Sequence, residues 1–367
     1  MLTALTNATI FTGTETLTGK VLLIRDDRIE SLIDPELIPE GTEIFDCGGS
    51  LLSAGLIDLQ IAGGGGYLFS ANPSAESLKA ITEAITQSGT TGFLIAIPTN
   101  SSDVYREVIR VVRENPHPAI LGLHIEGPFI SPVRRGAHIK ELIKPPTIED
   151  VKELIKEGKG VVKMLTVAPE VCYPEVIELL NDNGIVVAAG HSNATFREAV
   201  NGFRWGIRTT THLFNAMSQL HHRDPGLPAA VFETENVFAS IIADGIHVDY
   251  SMISIAKKLL KERLFLISDA VEENLAGSYL HVRQSDRFAL SDGTLSGSML
   301  TMMKAVRNCV ENVGINVEEA LRMASEYPAK VMRISDKGRI KPGCKADLVV
   351  FDRDFNTEHV FIEGRRV

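Results

Sequence analysis

The chain has 367 residues, 44% hydrophobic and 23% charged, the composition of an ordinary soluble globular protein with apolar material for a large core. A parallel barrel takes about 250 residues, which leaves roughly a hundred for an accessory domain or long loops. The formal net charge of −10 argues against a nucleic-acid or anionic-membrane surface, since both demand basic patches. It leaves room for an anionic small molecule held by local Arg, His and backbone N–H groups.

Cys47, Cys172, Cys309 and Cys344 are far apart and form no C-x-x-C pair, which sets aside a thiolate metal site or disulfide framework and fits a reducing cytosol. The first residues, Met1-Leu-Thr-Ala-Leu-Thr-Asn, lack the basic and apolar regions of a signal peptide. No apolar run is long enough to span a membrane. A soluble, cytoplasmic protein is expected.

In chain order, the first fifty residues read as short β-type stretches (Thr9-Ile-Phe-Thr, Lys20-Val-Leu-Leu-Ile-Arg, Arg28-Ile-Glu-Ser-Leu-Ile) separated by turn residues, with no helical period. The middle alternates apolar runs with amphipathic segments. Strands are expected at 56–61, 92–97, 120–125, 161–167, 185–189, 209–213, 238–243 and 264–268. Helices are expected at 75–88, 103–114, 148–157, 174–183, 194–205 and 250–262, with two more at 298–313 and 317–332. Gly89, Gly158, Gly184 and Gly206 fall where left-handed C-caps are wanted; Asn193 and Asp249 suit N-caps. The C-terminus returns to β texture in Ala346-Asp-Leu-Val-Val-Phe-Asp352 and His359-Val-Phe-Ile-Glu-Gly-Arg-Arg-Val367.

This pattern predicts an α/β chain, a (β/α)8 barrel with a small β-sandwich built from both termini. The expected division is 1–52 and 335–367 for the two parts of the sandwich and 53–334 for the barrel. An open doubly wound sheet is the rival, but it would not explain functional residues recurring on so many strands.

Four of the runs end on polar residues: Glu126 after Leu121-Gly-Leu-His-Ile, His191 after Ile185-Val-Val-Ala-Ala-Gly, His212 after Thr209-Thr-Thr, and Asp269 after Leu264-Phe-Leu-Ile-Ser. A buried strand has no cheap way to carry a charge. A divalent cation at one rim of the barrel accounts for all four. Two imidazoles and a carboxylate with an open fourth position suit a catalytic Zn²⁺ or similar first-row ion, which makes hydroxide available near neutral pH. Asp269, beside the first strand across the barrel seam, is placed to accept the water's proton and later donate it to a leaving amine.

Each residue also has a bland reading. A lone His after a strand can be a core or supporting histidine, and Asp269 can be a helix N-cap; four such coincidences on one rim are harder to accept than any single one. His124, two before Glu126, shares its face and either tunes the site or fills the barrel. His138 either polarises a substrate carbonyl or lies on the surface. His221-His222 reads as loop, because adjacent residues rarely face one ion together. The glycines at 63–66 lack a downstream Gly-Lys-Ser/Thr, so a phosphate loop is set aside; a mobile rim loop or a close backbone approach to a ligand remains.

The chain resembles the N-acetylglucosamine-6-phosphate deacetylases of the amidohydrolase superfamily in Leu52-Ser-Ala-Gly-Leu-Ile-Asp58-Leu-Gln60, Leu121-Gly-Leu-His-Ile-Glu-Gly-Pro128, Arg135-Gly-Ala-His138 and Ala189-Gly-His-Ser-Asn-Ala-Thr195. The likeness continues through Thr211-His-Leu-Phe-Asn-Ala-Met217, Pro225-Gly-Leu, Ile242-Ala-Asp-Gly-Ile-His-Val-Asp249, Ser268-Asp-Ala270 and Gly293-Thr-Leu-Ser-Gly-Ser298. It implies deacetylation of an amino-sugar phosphate, with Glu126, His191 and His212 as metal ligands and Asp269 as the acid/base. It assigns His138 to the acetyl carbonyl and sugar. Backbone groups of Ala137, Asn215 and Ala216, with Arg223 and His247, would recognise the sugar phosphate, and Leu295, Ser296 and Gly297 would line the acetyl or sugar pocket. It further implies one divalent ion per subunit, Zn²⁺ first among Zn²⁺, Fe²⁺, Mn²⁺, Co²⁺ and Ni²⁺. The expected partner is a small-molecule amino-sugar phosphate, with no nucleic acid and no membrane, and the resemblance implies a homodimer in which Arg223 or His247 serves the neighbouring subunit's substrate.

Two departures stand out. Many amidohydrolases carry His-x-His at the end of the first strand, where this chain has Gln60 and Ala62, so one strongly held metal is expected. The segment Val271-Glu-Glu-Asn-Leu-Ala-Gly-Ser lacks the Thr-x-Pro-x-Gly flavour of the family. A dihydroorotase-type cyclic amidase is disfavoured, because Lys163 lies near the start of the fourth strand and its end reads Thr166-Val-Ala-Pro. Epimer choice between glucosamine and galactosamine stays open; a metal-lacking barrel acting as a sensor of amino-sugar phosphates is the non-enzymatic alternative, and the four intact catalytic positions argue against it.

Overall fold

The computed structural model of the chain describes residues 1–290 and 292–367. Eight strands form one parallel sheet in sequence order: β1 (Leu56–Ile61), β2 (Thr90–Pro98), β3 (Ile120–Glu126), β4 (Val162–Val167), β5 (Val186–Ala189), β6 (Thr209–Thr210), β7 (Phe238–Ile242) and β8 (Leu264–Ile267). Every residue of β1, β5, β6 and β8 is buried. Helices cover the outer faces and side chains fill the interior, which is why these strands read as continuous apolar runs rather than alternating ones.

The sheet closes into a barrel at the β8–β1 seam by a few discrete contacts. The Asp269 N–H donates to the Gln60 carbonyl at 3.0 Å, and the Ala62 N–H donates to the Ala270 carbonyl at 2.8 Å. A buried carboxylate takes the place of a further backbone acceptor: Asp58 Oδ1 and Oδ2 accept the Ser268 N–H at 3.3 and 3.2 Å.

The outer helices are α1 (Ala75–Gln87), α2 (Ser102–Glu114), α3 (Ile148–Gly158), α4 (Pro174–Asp182), α5 (Phe196–Trp205), α6 (Gly226–Glu233) and α7 (Tyr250–Leu260). In α2 the buried Tyr105, Val108, Ile109 and Val112 fall at helical spacing, one apolar stripe against the barrel. Helix α6 is absent from the sequence expectation. Its Pro225-Gly-Leu-Pro228 start reads as loop, and Leu227, Pro228, Ala230 and Val231 bury it too fully to leave an amphipathic period.

Several boundaries move for local reasons. Strand β6 stops at Thr210 rather than 213, because His212 and Phe214 adopt positive φ of 35° and 78° and leave the ladder. The cap of α5 is Thr195, not Asn193: Glu198 three residues on completes a capping box. Asp249 does cap α7, accepting from the Ser251 N–H. Gly158 is the last residue of α3 instead of its left-handed cap; a Cβ there would meet Val162 Cγ2 at 2.5 Å, so close packing demands the glycine. The glycines at 63–66 form a tight turn in which Gly63–Gly64 pairs with Tyr67–Leu68.

Between β8 and the next helix, a three-stranded antiparallel excursion (Val282–Arg283, Arg287–Ala289, Leu295–Ser298) joins the barrel end through an Ala270–Ser298 bridge. The helix expected at 298–313 begins later, as α8 (Met302–Asn308), and widens into a π-helical turn at Cys309–Val313. The one expected at 317–332 is two helices, α9 (Val317–Met323) and α10 (Glu326–Val331). Pro328 falls in the first turn of the second, where a missing N–H costs nothing.

The termini build two further sheets. One has four strands, all from residues 2–46; the other has six, in which Leu51–Ala54 pairs with Thr9–Phe11 on one side and with Leu348–Phe351 from the far end of the chain on the other. Their shared core mixes Leu5, Ile10, Leu22 and Ile24 with Ile340, Leu348, Val350 and Phe361.

Candidate active site

The strand-end residues meet at the C-terminal mouth of the barrel. Glu126 closes β3, and His191, His212 and Asp269 each stand two residues beyond β5, β6 and β8. These last three have φ of 46°, 35° and 53°, a left-handed conformation that costs a non-glycine residue about 1–2 kcal/mol. The neighbouring structure enforces it. The His212 N–H donates to Ser240 Oγ at 2.8 Å, the His191 carbonyl accepts the Ser131 N–H at 2.8 Å, and the Asp269 carbonyl accepts the Ser298 N–H at 2.9 Å.

His191 Nε2 and His212 Nε2 lie 3.1 and 3.0 Å from Glu126 Oε1, and 3.0 Å from each other. The opposite ring nitrogens face backbone carbonyls: His191 Nδ1 that of Arg134 at 3.0 Å, His212 Nδ1 that of Asn215 at 3.1 Å. A carbonyl only accepts, so both Nδ1 atoms carry protons, and the two Nε2 atoms face one point beside Glu126 Oε1. A tetrahedral cation with bonds of about 2.0–2.1 Å would hold such atoms about 3.3 Å apart, so the triangle fits a small divalent ion after a slight expansion. The described residues contain this one group of three candidate ligands. Burial opposes charge on Glu126, but the two imidazoles outweigh it and hold its pKa well below the usual carboxylate range.

Gln60 occupies the position where a His-x-His pair would bring a second ion. Its Nε2 donates to Glu126 Oε1 at 3.1 Å and to Asp269 Oδ1 at 2.9 Å, tying the two carboxylates together. Burial, then the charge of Glu126, raise the Asp269 pKa above the ordinary value, the direction a proton-transferring carboxylate needs.

His138 is buried beside this centre, its ring 4.2 Å from that of His191. The Thr99 N–H donates to its Nδ1 at 3.2 Å, so Nδ1 is the acceptor and the neutral ring carries its proton on Nε2. Burial, then the neighbouring His191, push its pKa well below that of a free histidine. His138 is therefore a neutral donor at neutral pH, not a surface histidine. His124 lies deeper: Nδ1 donates to the Leu59 carbonyl at 3.0 Å, and Nε2 meets Thr166 Oγ1 at 2.7 Å. Both its nitrogens are engaged inside the barrel.

A cavity of about 420 Å³ opens over these groups, lined by Glu126, His138, His191, His212, His247 and Asp269 among others. Ala137, Asn215, Ala216, Leu295, Ser296 and Gly297 also reach it. His247 is oriented by Asp244, whose Oδ2 accepts from Nδ1 at 2.6 Å and whose Oδ1 accepts the Ile246 and His247 N–H groups. Asn215 Nδ2 is buried without a hydrogen-bond partner, an unsatisfied donor at the cavity wall that calls for an acceptor. Arg223 does not join them; it is exposed on the His221-His222 loop, away from the cavity lining.

Four polar lining residues had been given no role: Arg134, Tyr279, His281 and Thr294. Arg134 adjoins the Arg-Gly-Ala-His segment and was within reach of the motif. Tyr279 and His281 enter from the excursion after β8, where no motif flags them. Tyr279 Oη donates to the Thr99 carbonyl at 2.5 Å and His281 Nδ1 meets Ser296 Oγ at 2.9 Å.

A (β/α)8 barrel with a two-histidine, one-glutamate cluster and a free aspartate at its C-terminal mouth defines a metal-dependent hydrolase of the amidohydrolase type. Residues 51–367 match the model of the amidohydrolase family, and residues 2–52 match that of the NagA composite domain. The chain belongs to the amidohydrolase family, in its N-acetylglucosamine-6-phosphate deacetylase branch. It is 33% identical to the N-acetylglucosamine-6-phosphate deacetylase of Haemophilus influenzae, over 99% of this chain and 98% of that one. The crystal structure of N-acetylglucosamine-6-phosphate deacetylase from Pasteurella multocida superposes with a TM-score of 0.96 at 33% identity, covering 100% of both chains. An N-acetylgalactosamine-6-phosphate deacetylase from a Shewanella strain is also 33% identical, over 85% of this chain and 82% of its own.

Proposed function

We propose that this protein hydrolyses the amide of N-acetyl-D-glucosamine 6-phosphate, releasing acetate and D-glucosamine 6-phosphate for amino-sugar catabolism. The observation that carries the reading is the convergence of three lone-pair atoms within 3.0–3.1 Å, with a separately tethered carboxylate beside them. Glu126, His191 and His212 would hold one divalent ion, Zn²⁺ first. When bound, such an ion supplies Lewis acidity and lowers the pKa of water.

The residues of the chain divide the remaining work. Asp269 takes a proton from the attacking water as the new C–O bond forms, then delivers it to the nitrogen as the C–N bond breaks. The His138 Nε2–H donates to the carbonyl oxygen as negative charge builds there. Backbone groups of Ala137, Asn215 and Ala216 with His247 receive the sugar phosphate, and Leu295, Ser296 and Gly297 wall the acyl and sugar pocket. Arg223 sits outside its own cavity, which favours a homodimer in which it reaches a neighbouring subunit's phosphate. Residues 1–52 and 335–367 would form one terminal module around the barrel of 53–334, in a cytoplasmic enzyme.

The Shewanella relative keeps the galacto epimer as a second reading. Acetate release measured side by side on the two 6-phosphates, with metal content determined on the same preparation, separates the readings. A higher kcat/KM on the gluco substrate is expected. Preference for the galacto epimer would replace the substrate assignment, and tight ligand binding with no acetate release would leave a sensor.

A further inference from the structure

The opposite, N-terminal end of the barrel carries a second cavity, of about 260 Å³, whose wall holds three cations and no carboxylate. Lys163 is the second residue of β4, Arg208 immediately precedes β6, and Arg333 follows α10. Arg208 and Arg333 are exposed and Lys163 is half-buried, and among the described residues no ion pair or side-chain hydrogen bond engages any of the three. Three cations and no carboxylate on one cavity wall is an unexpected lining on a chain of net charge −10, where acidic side chains outnumber basic ones.

The cations are placed by the fold rather than scattered. The Lys163 stem passes over Gly122, where a Cβ would meet Lys163 Cγ at 2.6 Å and the Val161 carbonyl oxygen at 2.4 Å. Arg333 is held at φ +57°, a conformation that only a surrounding structure sustains in a non-glycine residue. Its N–H donates to the Lys330 carbonyl and the following Ile334 N–H to the Ala329 carbonyl, fixing the reversal that ends α10. Asn181, also on the wall, donates its Nδ2 to the Gly206 carbonyl at 3.2 Å. Leu121, Ile185 and Ile334 supply an apolar floor.

The geometry points to this cavity as a binding site for a small phosphorylated anion, with its phosphoryl group among Lys163, Arg208 and Arg333 and its carbon body on the apolar floor. The volume is near the lower end of small-molecule pockets, about 300 Å³, and guanidinium groups match phosphoryl oxygens in geometry as well as charge. In a barrel of this kind the chemistry belongs to the other mouth, so the site is separate from substrate turnover and does not depend on which substrate the enzyme takes.

Calorimetric titration of the metal-loaded full chain tests this, with inorganic phosphate and glycerol 3-phosphate as probes. The wild type is compared with an Arg208→Gln/Arg333→Gln variant and with Lys163→Met. Both variants should keep the wild-type kcat and KM, which also reports that they fold. Each should lose one class of sites or bind it at least about tenfold more weakly, the equivalent of about one charge-assisted contact in Lys163→Met and more in the double variant. Weakening seen only with glycerol 3-phosphate assigns the site to a phosphate ester; weakening with both probes assigns it to the phosphoryl group alone. Wild-type stoichiometry and affinity in both variants overturns the proposal. So does a wild type that binds neither probe, or binds them only where glucosamine 6-phosphate displaces them.

Discussion

Asp269 and Glu126 are both buried carboxylates at the same mouth, and their surroundings push them apart. Glu126 is held anionic by two imidazoles, whereas among the described residues Asp269 has only the Gln60 amide as a hydrogen-bonded side-chain partner. Replacing Asp269 by Asn keeps the shape and removes the proposed proton acceptor. Turnover should fall by about 10²–10⁴-fold with metal content unchanged; wild-type acetate release from that variant would sink the mechanism. Gln60→Ala tests the tether. Loss of a hydrogen bond to a charged group, worth about 1.5–3 kcal/mol, should lower kcat by about 10–100-fold. Asp269 also loses a donor that favours its anion, so its pKa rises further and the acid limb of the kcat profile should move to higher pH. An unmoved limb with wild-type kcat would show that Gln60 merely fills space. The identity of these residues was legible in the sequence because a polar residue ending an apolar strand needs a reason. The tether was not: Gln60 stood out as a missing ligand, and only the fold shows its Nε2 between two carboxylates. His138 likewise kept two readings until the Thr99 N–H assigned its tautomer.

At the scale of elements, the eight strands were legible because burial on both faces leaves uninterrupted apolar runs. The helices with a clear apolar stripe were legible for the complementary reason. What escaped was structure without a period, namely α6 and the segment between β8 and α8 that brings Tyr279 and His281 to the cavity. The seam between β8 and β1 has its own signature in Asp58, which accepts the Ser268 N–H in place of a ladder carbonyl. Burial pushes the Asp58 carboxyl up to about 7, whereas in the unfolded chain it titrates near 3.9. Between those values the folded state holds the extra proton, so this group's stabilising contribution is present at low pH and is lost as pH rises through the folded pKa. The slope within the window is about 1.4 kcal/mol per pH unit. Asp58→Asn should therefore flatten the fall in urea midpoint between about pH 5 and pH 7. An identical slope in the variant would remove Asp58 as its source.

At the scale of the whole molecule, the chain leaves the terminal sheets at Ala54, completes the barrel, and must return to the same sheets at Leu348. One buried ion pair stands on the return path: Lys337 Nζ contacts Asp347 Oδ2, with the two residues 7% and 4% exposed. Asp347 Oδ1 also accepts the Glu363 N–H at 2.8 Å, and the Asp347 carbonyl accepts the Gly55 N–H at 2.8 Å, one residue before β1. A single aspartate thus links the C-terminal return, the last strands and the entry to the barrel. The repeated β texture at both ends signalled that the termini meet, but Lys337 and Asp347 carry no motif that pairs them. Lys337→Met leaves a buried carboxylate without its cation and should cost about 3–5 kcal/mol of stability, whereas Lys337→Met/Asp347→Leu should recover most of that loss. Because the pair lies outside the catalytic cavity, kcat per folded molecule should stay at the wild-type value in both. Urea unfolding of the two variants beside acetate-release kinetics checks this. A single variant as stable as wild type would show that the pair does not hold the return path, and a lowered kcat in the folded fraction would show that the terminal sheets act on the active site.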